Sequence, residues 1–275
     1  MPFGHRTLSI AHRGASGMAP ENTLIAVERA LDLGVDVVEI DVHVTRDGHV
    51  VVLHDATVDR TTDGRGAVRD MTLAEVRRLN AGLWFDPPCS GERIPTLAET
   101  LDLTRRRALL LVEIKASGIS EQVVETIRDL RATEDVIVQS FHPATVKQVR
   151  DLERRIPAAL LVGRVPVGHT RWRGRSLVKK ALKVGANALA LSYLAATPSL
   201  VDEVHRRAMS LWVWTVDEEF TMQKMIQTGA DGIITNHPER LHRLLTGEII
   251  VPPRRLFLRR GMRRRRLWKG MGEKE

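Results

Sequence analysis

Short apolar runs alternate with amphipathic segments along most of this chain. Eight runs read as strands: Leu8–His12, Val37–Val42, Leu109–Lys115, Val136–Ser140, Ala159–Val162, Ala188–Leu191, Trp212–Thr215 and Gly232–Thr235. Between them, apolar positions at helical spacing predict helices over Thr23–Leu33, Leu97–Arg106, Glu121–Ala132, Ala144–Arg155, Leu177–Val184, Ser199–Ala208 and Glu219–Gln227. A last helix is expected over Pro238–Leu245. Asn22-Thr23 after Pro20, Pro143 and Pro198 mark helix starts, and Gly34, Gly185 and Gly229 mark ends. Strand then helix, repeated eight times over about 240 residues, predicts an α/β fold of the (β/α)8 TIM-barrel type.

One stretch breaks the alternation. His49 to Thr96 holds a strand return, the turn-rich run Thr61-Thr62-Asp63-Gly64-Arg65-Gly66, a short helix near Leu73–Leu79 and then Asp86-Pro87-Pro88. This is too long for an ordinary connection. It predicts a small insertion after the second strand, at about 56–96, placed at the top of the barrel as a lid. The expected organisation is a barrel over 1–250 and a separate tail over 251–275.

Arg46-Asp47-Gly48-His49 follows the second strand, and Asp-Gly between β-rich runs signals a hairpin. With Asp47 and Gly48 as a two-residue loop, Asp41 would lie opposite His54. Glu39 and Asp41 are two apart on a strand, so they share a face. Charged groups on a buried strand need partners, because an unpaired buried charge is expensive.

Barrel enzymes carry their sites at the C-terminal ends of the strands. Those ends supply His12 and Arg13, Glu39 and Asp41, Glu113 and Lys115, Phe141, and Trp214, with His54 on the hairpin return. Glu39, Asp41 and Glu113, with few soft ligands nearby, suit one hard divalent cation, Ca²⁺ or Mg²⁺. His12 and His54 can divide proton removal and delivery. Arg13 and Lys115 suit an anionic substrate such as a phosphate ester. The chemistry expected is metal-assisted cleavage of a phosphodiester. Several residues have plainer alternatives. Lys115 can neutralise the carboxylates, Asn22 can cap the first helix, and Phe141 and Trp214 can be core instead of walls that shape the alcohol or glycerol side. Cys89, the single cysteine, reads as inert and excludes a disulfide framework.

Charge changes the picture only at the C-terminus. Ten of the 42 Lys and Arg and two of the 34 Asp and Glu lie from Arg254 onward, so the tail carries the whole net charge of +8. Arginines interleaved with Leu256, Phe257, Leu258, Leu267 and Trp268 can adhere to anionic lipid, and the segment 254–269 is the candidate contact. Nucleic-acid binding and a solvated tail are the rivals, and no specific nucleic acid is expected. With no apolar signal-peptide core before the first strand and no run as long as a membrane span, a cytoplasmic location is expected, with peripheral attachment through the tail.

The segments His12-Arg13-Gly14, Pro20-Glu21-Asn22-Thr23, Glu39-Ile40-Asp41-Val42, Thr45-Arg46-Asp47-Gly48, His54-Asp55, Arg60-Thr61-Thr62, Ile94-Pro95-Thr96-Leu97, Glu113-Ile114-Lys115, Ser140-Phe141 and Trp214-Thr215-Val216 occur in this order. As a set they resemble the glycerophosphodiester phosphodiesterase family over about residues 8 to 240. The resemblance implies a barrel with a small insertion, a divalent cation, and hydrolysis of glycerophosphodiesters to glycerol 3-phosphate and an alcohol. It implies His12 and His54 as the acid–base pair, Glu39, Asp41 and Glu113 as metal ligands, and Arg13 and Lys115 on the phosphate. Asn236 stands where the family often has Asp. Lysophospholipids at a membrane surface are the alternative substrate. A cyclic phosphate product is an alternative outcome, and a non-catalytic binder an alternative class.

Overall fold

The structure, a computed structural model, describes residues 6–163 and 171–247. The 251–275 tail, and with it the anionic-surface contact expected of 254–269, lies outside the described residues. In chain order the elements are β1 (Leu8–Ala11), α1 (Leu24–Asp32), β2 (Val37–Val44), β3 (Val50–Val52), α2 (Leu73–Val76), α3 (Leu97–Thr104), β4 (Leu109–Ile114), α4 (Ser120–Asp129), β5 (Val136–Ser140), α5 (Pro143–Leu152), β6 (Ala158–Val162), α6 (Arg171–Lys183), β7 (Ala188–Ser192), α7 (Pro198–His205), β8 (Ser210–Trp214), α8 (Glu219–Thr228), β9 (Gly232–Thr235) and α9 (Pro238–Thr246). All eight expected strands form. α6 starts ahead of the expected Leu177, because the polar stretch before that residue carries no apolar periodicity to read.

The strands β1, β2, β4, β5, β6, β7, β8 and β9 pair in parallel in that order, and β9 pairs with β1. The eight-stranded barrel is therefore closed, and β3 pairs antiparallel with β2 outside the ring. Two apolar layers follow from strand alternation. Val38, Ile40, Val42, Leu110 and Val112 face outward against the helices. Ile10, Val37, Leu111, Trp212 and Ile234 point inward and pack across the barrel. Gly232 makes room for the indole there: a Cβ at that position would lie 2.9 Å from both Ile10 Cδ1 and Trp212 Cδ1.

The hairpin register corrects the two-residue-loop expectation by one position. β3 pairs Val42 with Val52 and Val44 with Val50, and the Thr45 N–H donates to the His49 carbonyl at 2.9 Å. The loop is the three residues Arg46-Asp47-Gly48, with Gly48 in the left-handed region (φ +88°). The Asp47 carboxylate accepts from the Thr45 hydroxyl (2.7 Å) and from the Leu73 N–H at the start of α2 (2.9 Å), which favours the longer loop. Asp41 thus faces Leu53, whose N–H donates to the Asp41 carbonyl at 3.0 Å. His54 lies just beyond the strand.

The lid expected of the insertion is also corrected. Val51, Leu53, Val58, Val68, Val76, Ala81 and Ile94 bury one another in a small core of their own. A capping box at Thr72–Glu75 fixes the start of its helix, and one at Thr96–Glu99 starts α3 where the insertion ends. Of the segment 49–96, only His54 lines the cavity at the barrel mouth. The insertion stands beside the mouth as a packed unit because its apolar side chains are engaged internally. Among the described residues no helix is long and apolar enough to cross a membrane.

Candidate active site

The inward rows of the barrel change character along their length. Ile10 is followed on its face by His12, Val37 by Glu39 and Asp41, Leu111 by Glu113 and Lys115, Trp212 by Trp214, and Ile234 by Asn236. Partly buried Ile137 leads likewise to Gln139 and Phe141. Each row begins apolar in the barrel and ends polar or aromatic at the C-terminal mouth. His12, Arg13, Glu39, His54, Glu113, Lys115, Phe141 and Trp214 line one cavity there. Asp41, the ninth residue expected from sequence, is fully buried beside them.

The β2–β4 register sets Asp41 next to Glu113. Glu39, Asp41 and Glu113 each offer a carboxylate oxygen within 4.8 Å of the other two, and all three residues are buried. Burial, then the charges of Asp41 and Glu113, pushes Glu39 well above the usual carboxylate range. Burial and Asp41 raise Glu113 although Lys115 opposes them. Burial would raise Asp41 too, but Arg13, Lys115 and His54 outweigh it and hold the group down. Lys115 Nζ lies 2.8 Å from Glu113 Oε1 and 3.4 Å from Asp41 Oδ1, yet that Oδ1 accepts no hydrogen bond. An orphaned buried carboxylate oxygen beside two further carboxylates fits a hard divalent cation.

The turn after β1 is built to serve this cluster. Arg13 is left-handed (φ +55°), a conformation that costs a non-glycine residue about 1–3 kcal/mol. The turn aims its N–H at Glu39 Oε2 (2.9 Å), while its side chain puts Nη1 on Glu21 Oε1 (2.8 Å) and Nε 3.2 Å from Asp41 Oδ2. Gly14 follows, also left-handed, where a Cβ would sit 2.6 Å from the backbone of Ala26 in α1. Asn22 does not cap α1. Thr23 does, accepting from the Ala26 N–H. Asn22 instead donates through Nδ2 to Asp41 Oδ2 (2.9 Å) and accepts the Asp41 N–H (3.2 Å).

Both imidazoles are oriented through Nδ1. His12 Nδ1 is 2.7 Å from Asn236 Oδ1. Asn236 Nδ2 donates to Asp217 Oδ2 at 2.8 Å, which fixes the amide so that Oδ1 is the atom facing His12. An amide oxygen only accepts, so His12 carries its proton on Nδ1 and leaves Nε2 as a free base. Burial, then Arg13, lowers the His12 pKa below the ordinary 6.5. His54 Nδ1 is 2.6 Å from Asp55 Oδ1. Hydrogen bonds from Arg60 and His54 bring the Asp55 pKa down to about 2, so it too is an acceptor only. Phe141 meets Trp214 edge to face, with ring centroids 5.7 Å apart, and the pair, from the ends of β5 and β8, forms an apolar wall of the cavity.

Five residues gained no role from sequence: Gln139, Asn236, Asp217, Glu21 and Arg60. Gln139 is buried, with Nε2 3.3 Å from Glu39 Oε1. Strand parity could have found Gln139 and Asn236, since both continue inward rows. Glu21 and Arg60 fall within segments that carry the family resemblance, though with no role attached, and nothing local marks Asp217; all three sit on loops. His43 is structural, its Nε2 3.1 Å from the His54 carbonyl.

A closed (β/α)8 barrel whose mouth gathers acids, imidazoles and cations defines a hydrolase-like barrel site. The Glycerophosphoryl diester phosphodiesterase family matches residues 12–240. A protein of Caldanaerobacter subterraneus subsp. tengcongensis, named glycerophosphodiester phosphodiesterase, is 40% identical over 248 residues, spanning 87% of this chain and 98% of that one. The structure of a glycerophosphodiester phosphodiesterase from Agrobacterium tumefaciens superposes with a TM-score of 0.75 at 26% identity, over 86% of this chain and 99% of the other. A phosphodiesterase of Oleispira antarctica, solved with its product sn-glycerol-3-phosphate, gives 0.74 at 26% identity, over 84% and 94%. The chain belongs to the glycerophosphoryl diester phosphodiesterase family.

Proposed function

We propose that this protein hydrolyses glycerophosphodiesters to glycerol 3-phosphate and an alcohol. The observation that carries this is the convergence of three buried carboxylates, two cations and two pre-oriented imidazoles on one cavity. The named relative and the product-bound neighbour support it. Glu39, Asp41 and Glu113 would hold one divalent cation, Ca²⁺ or Mg²⁺. Such an ion, when bound, neutralises phosphate charge and makes a bound water or hydroxyl more acidic.

The chain's own groups do the remainder. Arg13 and Lys115 face the phosphate and stabilise its developing charge. His12, neutral with Nε2 free, takes the proton of the attacking oxygen. The P–O bond to the alcohol breaks, and His54 delivers a proton to that leaving oxygen while Asp55 stabilises its imidazolium form. The Phe141–Trp214 wall packs against the carbon skeleton of the substrate.

Release of glycerol 3-phosphate from glycerophosphocholine and glycerophosphoethanolamine, with divalent cation and with chelator, tests the proposal. No release with any cation removes it. A second reading, hydrolysis of lysophospholipids, is favoured by exposed Phe141, Leu194 and Phe220 on the segments following β5, β7 and β8, at the mouth end of the barrel. Faster turnover of lysophosphatidylcholine than of glycerophosphocholine in the same screen selects it.

The lowered pKa of His12 sets a pH dependence. A base must be unprotonated, so the acid limb of kcat/KM falls below pH 6.5. Stability follows the same sign. Between the folded value and 6.5 the unfolded chain binds more protons, so the His12 contribution rises with pH up to 6.5 and is lost below it. A pH–rate profile whose acid limb lies above 6.5 removes His12 from the role of base.

A further inference from the structure

We infer that Arg60 is the positioning residue that locks His54 and Arg13 into one rigid unit. It comes from the insertion and lines no part of the cavity. Its Nη1 and Nη2 donate to Glu21 Oε2 (2.9 Å) and Oε1 (2.7 Å), and its Nε donates to Asp55 Oδ2 (2.6 Å). Each carboxylate has a second client. Glu21 Oε1 also accepts from Arg13 Nη1, and Asp55 Oδ1 holds His54 Nδ1. The result is an unbroken chain of charge-assisted bonds, Arg13–Glu21–Arg60–Asp55–His54, from one side of the cavity to the other.

The physical need is clear from its ends. His54 lies beyond the last residue of β3, so no strand ladder fixes it. Asp55 follows it on the same irregular segment and can turn its carboxylate freely unless something holds Oδ2. Arg60 does so from a loop that is itself fixed. Val58 and Val68 are in the insertion's core, Thr57 bridges Ala67, and the Gly66 N–H donates to Asp59 Oδ2. The insertion therefore serves the site as a strut. Each guanidinium nitrogen of Arg60 donates to a carboxylate and Arg60 lines no part of the cavity, so it acts through Glu21 and Asp55 and not on substrate.

Resting on the activity proposed above, the test compares full-length wild type, Arg60→Ala and Arg60→Lys. Glycerophosphocholine is the substrate, with saturating divalent cation. Arg60→Ala lowers kcat about 10–100-fold with KM nearly unchanged, the usual cost of losing an outer partner that orients an active-site group. Added methylguanidinium restores much of the loss and methylammonium does not. Arg60→Lys stays impaired, because an ammonium cannot hold Glu21 through two nitrogens and reach Asp55 as well. In ¹⁵N-histidine spectra without substrate, the His54 Nδ1–H signal, held to Asp55 Oδ1 in the wild type, loses its strongly hydrogen-bonded position in both variants. Unchanged kcat in Arg60→Ala overturns the inference, as does an unchanged His54 Nδ1–H signal, or a loss that methylguanidinium leaves uncorrected. Should Arg60→Ala not fold, the kcat–KM split and the spectrum of Arg60→Lys decide the matter. Should the wild type turn over no glycerophosphodiester, the function proposed above fails while the His54 spectra still judge Arg60.

Discussion

Alanine at His12 or at His54 lowers turnover about 10²–10⁴-fold while the barrel stays folded. The size follows from the two proposed roles. His12 Nε2 is a free base because Asn236 and Asp217 fix the proton on Nδ1. His54 is the other imidazole lining the cavity and stands on the hairpin side. The two losses also differ in kind. Loss of the acid is offset in part when the substrate carries a good leaving group, such as a nitrophenolate, that departs without a proton. Loss of the base is not. Circular dichroism and melting check the fold, which neither side chain holds together: both sit at the cavity and neither belongs to an apolar cluster. Unchanged turnover in both variants ends the acid–base assignment.

The second large effect concerns the acidic cluster. A cation that binds only the folded protein stabilises it by about 2.7 kcal/mol at a hundredfold excess over Kd, or ~5–10 °C in Tm for a domain of this size. Asp41→Asn and Glu39→Gln both remove that shift, but their cation-free forms part company. Asp41 is held ionised between Arg13 and Lys115, so Asp41→Asn leaves buried cations underpaired and lowers the melting temperature. Glu39 is pushed up by burial and by its two acidic neighbours, so Glu39→Gln relieves repulsion and raises the melting temperature. Melting curves of the variants with and without added Ca²⁺ or Mg²⁺ check both signs. A cation-dependent shift that survives in both variants rules out this cluster as the binding site.

The amino-acid pattern alone determined the barrel. Eight apolar runs separated by amphipathic helices have few ways to bury themselves, and closing the runs into a ring is the one observed. It also determined which of these groups share a face, because parity along a strand is a local property: Glu39 with Asp41, and Glu113 with Lys115; the β2–β4 register then joined the two pairs. Where position depended on loops, local patterning was silent or misleading. The hairpin loop took three residues instead of two because the Asp47 side chain bonds to α2, a contact made only after folding. The insertion became a strut instead of a lid because its valines found one another, and Asn22 turned from α1 to Asp41. Arg60, Glu21, Asp55 and Asp217 have side chains long or mobile enough to point many ways, so only the assembled structure decides which carboxylate meets which donor. The strands set which groups stand at the mouth. The loops, through contacts between distant segments, set how the two imidazoles are aimed.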